Sequence, residues 1–183
     1  MHILMSYPDR QKKNVIEQAS KASIDEVERD VFNTRLWEYI HENKNILTRI
    51  GNVEFAFFGE GDFPYSFGIS SLPQRPMPAF LLMILTSVLA AVGWTGEVPN
   101  CVSMAVFRGK LRRRHEKWLP WHTDNEHNHF TDDIFSISFG HDAQFKFMYE
   151  GRSLKVILKS GDVIRFCRWV EHAVGKVEGD RVN

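Results

Sequence analysis

The sequence predicts an α+β fold in which one or two helices buttress a sandwich or barrel of antiparallel strands. Three observations predict it. From Asn100 onward the chain breaks into short apolar segments separated by Gly, Asp or Ser, the texture of an antiparallel core. Ahead of them, Ile24, Val27, Val31, Leu36 and Ile40 recur at roughly helical spacing. Between the two lies an apolar run over residues 79–92, short for a membrane span and suited to a buried helix. With 183 residues, 43% of them hydrophobic and 25% charged, the chain is read as a single domain over residues 1–183.

Taken in order, residues 1–22 are polar and are expected to fray. Ser23 and Glu26 have the S-x-x-E spacing of a capping box, which opens a helix running to about Asn43. "VEFAFFG" (53–59) is aromatic-rich and strand-like, and "GEGDFPYSFG" reads as loop. Pro73, Pro76 and Pro78 close that loop, with Pro78 placed for the first turn of the apolar helix, which stops near Gly93. The strands that follow are "CVSMAVF", "LPWHTD", "IFSISFG", "QFKFMY", "SLKVILKSGD" and "VIRFCRWV". A basic segment, "RGKLRRRHEK", lies between the first two.

Formal net charge is zero, so any attraction to nucleic acid must be local, and Arg112, Arg113 and Arg114 supply the local charge. Two cysteines, Cys101 and Cys167, make no disulfide framework and point to a reducing, intracellular and cytoplasmic setting. The N-terminus has no apolar stretch after a basic one, so no secretory signal is read there; a monomer with no membrane partner is expected.

The densest chemistry lies in "WHTDNEHNHF" (121–130). On a strand, His122 and Asp124 project from one face. An imidazole and a carboxylate so placed are two thirds of a 2-His-1-carboxylate facial triad, the ligand set suited to Fe(II) with open positions. His127 and His129 share the spacing but fall in a polar stretch that reads as loop. H-x-D is common by chance and needs a third ligand. Of the other histidines, His2 and His41 lie in the N-terminal part, His115 in the basic run and His141 in a turn, while His172 ends a strand and is followed by R-x-N at 181–183.

In that order the motifs resemble the AlkB-like Fe(II)- and 2-oxoglutarate-dependent dioxygenases, over about Arg49 to Asn183. "AFFGEGDFPYSFG" looks like the family's segment ahead of the substrate lid, and "LPQRPMPAFLLMIL" is similar to its proline-led helix. "PWHTDNE" matches the metal motif, "FSISFG" the S-x-S-x-G strand, "LKSGDVIRF" the strand with a Gly-Asp turn and "HAVGKVEGDRVN" the distal motif. The resemblance implies a double-stranded β-helix (jelly-roll) core that uses Fe(II), 2-oxoglutarate and O2. It makes His122, Asp124 and His172 the iron ligands. Arg181 would pair with the distal carboxylate of 2-oxoglutarate, with Asn183 beside it. Glu126 falls where the family often reads the target base, and Tyr65 is a candidate to stack on it.

Two positions depart from the pattern. Ala105 and Phe107 stand where the family often has Asn and Tyr, so Phe107 keeps the shape of a cosubstrate contact without its hydroxyl. The family's second arginine, some six residues past the first, has no counterpart, and the last strand is expected to be truncated. The function implied is oxidative removal of N-alkyl groups from nucleobases in RNA or single-stranded DNA. The alternatives are an oxygenase acting on a protein or small molecule, and a non-catalytic AlkB-like binding module.

Overall fold

The computed structural model of the chain describes residues 2–6, 16–59, 65–67, 70–108, 118–124, 133–149 and 152–183. Its first strands, β1 (His2–Ser6) and β2 (Ile16–Ser23), occupy a segment expected to fray. Helix α1 (Glu26–Glu42) follows, then a 3-10 turn at Lys44–Ile46, β3 (Thr48–Ile50) and β4 (Val53–Gly59). Short strands β5 (Tyr65–Phe67), β6 (Ser70–Leu72) and β7 (Gln74–Arg75) lead into α2 (Ala79–Ala91). The β-rich part comprises β8 (Cys101–Phe107), β9 (Leu119–His122), β10 (Asp133–Ile137), β11 (Phe139–Gly140), β12 (Ala143–Tyr149) and β13 (Arg152–Leu158). It closes with β14 (Asp162–Cys167), β15 (His172–Val174) and β16 (Arg181–Val182).

Two layers of sheet enclose the main core. One layer is built from the orders β1-β2-β14-β10 and β11-β16-β8-β4-β3, joined through Ser138 where β10 runs into β11. The other has the order β13-β12-β15-β9. Phe55, Phe57, Phe107, Ile164 and Phe166 from the first layer pack with Phe145, Phe147, Leu158 and Val174 from the second. Alternation sends Ala56, Phe58, Met104, Val106 and Val182 to the opposite face of the first layer. There Phe32, Leu36 and Ile40 of α1 and Leu81, Ile84 and Val88 of α2 cover them. Each such aromatic or aliphatic side chain contributes about 1.5–3 kcal/mol when fully buried. Strand β4, apolar on both faces, is sandwiched between the strand core and the helices.

Several local expectations are corrected by this packing. The α1 stripe runs through Phe32, Leu36 and Ile40 at i, i+4 spacing, and leaves Val27 and Val31 71% and 50% exposed. The helix is capped by Asp25, whose carboxylate accepts from the amides of Val27 and Glu28, because Ser23 donates its hydroxyl to Asp162 instead. Residues 16–23 form a strand rather than a frayed end. The edge of β14 pairs with β2, and Lys21 adds an ion pair to Asp162 at 2.6 Å, which is tertiary information that a polar segment does not carry alone. His172 opens β15 rather than ending a strand. Helix α2 ends as expected: Gly93 takes φ +63°, which a β-carbon would disfavour.

Candidate metal centre

His122 sits at the end of β9 and His172 at the start of β15, and the antiparallel ladder makes them direct partners. Their rings lie 4.2 Å apart, centre to centre. Asp124 follows two residues after His122, and its amide donates to the Arg168 carbonyl at 3.0 Å, which fixes the loop. The carboxylate then reaches both rings, with Oδ1 3.8 Å from His122 Nε2 and Oδ2 3.5 Å from His172 Nε2. One ligand atom from each residue falls within 4.8 Å of the others. The two motifs separated in sequence are thus one cluster in space.

Hydrogen bonding sets which nitrogen faces the cluster. Nδ1 of His122 donates to the Pro120 carbonyl at 2.7 Å, and Nδ1 of His172 to the Val170 carbonyl at 2.9 Å. A carbonyl only accepts, so each neutral ring carries its proton on Nδ1 and turns the Nε2 lone pair inward. Burial pushes the His172 imidazole down to about 4, against the opposing pull of the Asp124 carboxylate. Phe145 lies parallel to that ring at 5.4 Å and Phe166 packs at 4.7 Å. Two lone pairs and a carboxylate therefore converge with no proton between them, an arrangement that a divalent cation satisfies. Two imidazoles, one carboxylate and room for further ligands suit non-haem Fe(II).

The cluster opens on a cavity of about 260 Å³. His122, Asp124, His172, Phe145 and Phe166 line it on one side, and Leu81, Ile84, Leu85 and Val88 of α2 on the other. It passes through the first layer between β8 and β10. At the base of that slot, β16 fits between β8 and β11, with Arg181 paired to both Phe107 and Gly140. Asn183 exchanges two main-chain hydrogen bonds with Ala105, at 2.8 and 2.9 Å. Further along, among the described residues, no strand bonds to that edge of β8 or to the outer edge of β10.

Ala105 and Asn183 line the cavity. Phe107 and Arg181 lie one pair deeper, both fully buried. The Arg181 guanidinium meets four protein oxygens: Nε donates to Asn183 Oδ1, one terminal nitrogen to the carbonyls of His141 and Leu158, and the other to Ser138 Oγ. Burial lowers its pKa to about 10, which leaves it charged at neutral pH. Among the described residues the cavity lining holds no Lys or Arg; Asn183 brings the amide nearest that charge. Neither the two carbonyls that orient the imidazoles nor the Phe145 stack was visible in sequence, although "QFKFMY" marks Phe145 as core by alternation. Glu126, Arg112, Arg113 and Arg114 lie outside the described residues, and Tyr65 is placed only by its main chain in β5.

No family model matches the chain, and no curated protein matches it. Solved structures do. The chain is similar to OsALKBH1 with TM-score 0.60 at 12% identity, covering 88% of this chain and 92% of that one. It is similar to a Pseudomonas putida prolyl-4-hydroxylase with TM-score 0.55 at 10% identity, covering 90% and 88%. At such identities the likeness speaks for the fold, an AlkB-like 2-oxoglutarate-oxygenase jelly roll. The His-Asp-His cluster, observed independently, is the donor set that such a fold uses for iron. Among the described residues no helix is long and apolar enough to cross a membrane.

Proposed function

We propose that this protein is an Fe(II)- and 2-oxoglutarate-dependent dioxygenase that removes N-alkyl groups from nucleobases in RNA or single-stranded DNA. The observation that carries the oxygenase reading is the inward-facing His122, Asp124 and His172 cluster at the end of an enclosed cavity. These three would hold the iron. With 2-oxoglutarate and O2, iron supplies the oxidising power for hydroxylating a carbon–hydrogen bond. The chain's own residues supply the rest. Pro120 and Val170 lock the imidazoles, the aromatic pair of Phe145 and Phe166 keeps water from His172, and Asn183 presents an amide to the cosubstrate. Arg181 stands behind that amide, polarises it and adds positive charge on the side where a dicarboxylate would lie.

Nucleic acid as substrate is supported by the likeness to OsALKBH1 and by the basic run at 110–117, with Glu126 and Tyr65 as base contacts. A protein or small-molecule substrate is the second reading, favoured by the likeness to a prolyl-4-hydroxylase. The test is anaerobic titration with Fe(II) and 2-oxoglutarate, followed by admission of O2 in the presence of an N-methylated oligonucleotide. Formaldehyde release matched by succinate supports the proposal. Succinate formed only with a peptide or small molecule favours the second reading, and failure to bind iron removes both.

A further inference from the structure

A single turn serves two of the three ligands. Between β14 and β15 the Arg168 carbonyl holds the Asp124 amide at 3.0 Å, and the Val170 carbonyl holds His172 Nδ1 at 2.9 Å. The amide of Val170 closes the turn on the Cys167 carbonyl at 2.9 Å. Between the two supporting carbonyls stands Trp169, which is 48% exposed, while Arg168 and Val170 on either side of it are buried. The Arg168 guanidinium lies over the indole, 4.9 Å from the ring centroid.

A tryptophan in such a turn could simply shield its neighbour. Two facts point further. The turn acts on the ligands through main-chain carbonyls, which any residue at 169 would leave in place. The indole belongs to neither hydrophobic core, so packing does not dictate its identity. What the side chain adds is a broad flat surface at the rim of the metal site, with a cation against it and solvent around it.

We propose that Trp169 is a specificity-determining residue, the platform on which a planar, unsaturated ring of the substrate stacks as it enters the metal site. The inference rests on the nucleobase reading above and names a contact for it. Stacking on an indole is tolerant of base identity, and a guanidinium against the ring adds a cation–π contribution. The platform would therefore secure a base without reading its sequence.

The experiment measures binding of a single-stranded oligonucleotide with one N-methylated adenine to the full chain. The protein is loaded with Mn(II) and 2-oxoglutarate, and fluorescence anisotropy compares wild type, Trp169→Ala and Trp169→Phe. Loss of one base–aromatic stack should weaken binding of the alanine variant by about 5- to 150-fold, with Trp169→Phe recovering most of it. The slope of log affinity against log salt should not change, because every phosphate keeps its cation. Mn(II) affinity, read by electron paramagnetic resonance, should stay at the wild-type value in both variants. Equal oligonucleotide affinity in wild type and Trp169→Ala would overturn the inference alone. So would a parallel loss of Mn(II) affinity, since Trp169 would then be supporting the turn. Absence of oligonucleotide binding by the loaded wild type would overturn the nucleobase reading and this inference with it.

Discussion

His122 and His172 are cross-strand partners, paired on adjacent strands with their rings 4.2 Å apart. Neither motif is a site by itself. The β9–β15 ladder makes one of them, and a shift of one residue in register would turn one ring to the opposite face.

Replacing His122, Asp124 or His172 with alanine should each abolish iron-dependent turnover and weaken Fe(II) binding by orders of magnitude. The stability effects should differ. His172 is buried between Phe145 and Phe166, so His172→Ala should cost roughly 2–4 kcal/mol through the cavity it leaves. His122 is more exposed, and His122→Ala should cost about 1 kcal/mol or less. Urea unfolding of the metal-free variants checks this. Unchanged Fe(II) affinity in any of the three would remove that residue from the ligand set.

Arg181 and Asn183 should separate in the opposite sense. Arg181→Met leaves four oxygens without their donor and should destabilise the fold by about 3 kcal/mol or more. Asn183→Ala should leave the unfolding midpoint nearly unchanged while weakening 2-oxoglutarate binding about tenfold, the size of one charge-assisted hydrogen bond. Calorimetry with Mn(II) in place of iron measures the second quantity. Wild-type affinity in Asn183→Ala would show that the amide does not meet the cosubstrate.

The three arginines at 112–114 test the nucleic-acid reading. Replacing all three with alanine should weaken single-stranded binding about equally for all sequences. The log–log salt slope should become shallower by about 0.7 for each phosphate that is no longer neutralised. An unchanged slope would favour a protein or small-molecule substrate.

Cys101 lines the cavity, and burial raises its thiol to about 11. The reactive thiolate is therefore scarce at pH 8, and alkylation there should be slow, rising as pH approaches 11. Mn(II) with 2-oxoglutarate should slow it further by filling the cavity. Peptide mapping separates this thiol from Cys167. Rapid labelling at pH 8 would show that the wall beside β8 is open to water.

How much of this was legible depended on the range over which each feature is specified. Strands such as β4 and β8 announce themselves by local apolar content, and His122 with Asp124 by period-two spacing. The third ligand and the AlkB-like fold were legible through the order of motifs, which the structural likeness supports. Contacts made across the chain were not. Ser23 fits a capping box until Asp162 competes for it, and Val27 matches helical spacing until α2 and β4 select the neighbouring face. The partners of Arg181 lie 23 to 43 residues away for Leu158, His141 and Ser138. A motif can nominate that arginine but cannot say where its donors go.

The slot between β8 and β10 has a consequence for local opening. Ala105 directs its amide and carbonyl toward Asn183, so alternation aims those of Ser103 and Cys101 into the slot, while Val102 and Met104 bond to β4. Amide protons along one strand should then exchange with solvent in two classes. Those of Val102 and Met104 wait for the β4–β8 ladder to part, whereas those of Ser103 and Cys101 need only water at the slot. The wall of the metal cavity is thus held from one side, and its width can fluctuate without unfolding the sheet that carries it.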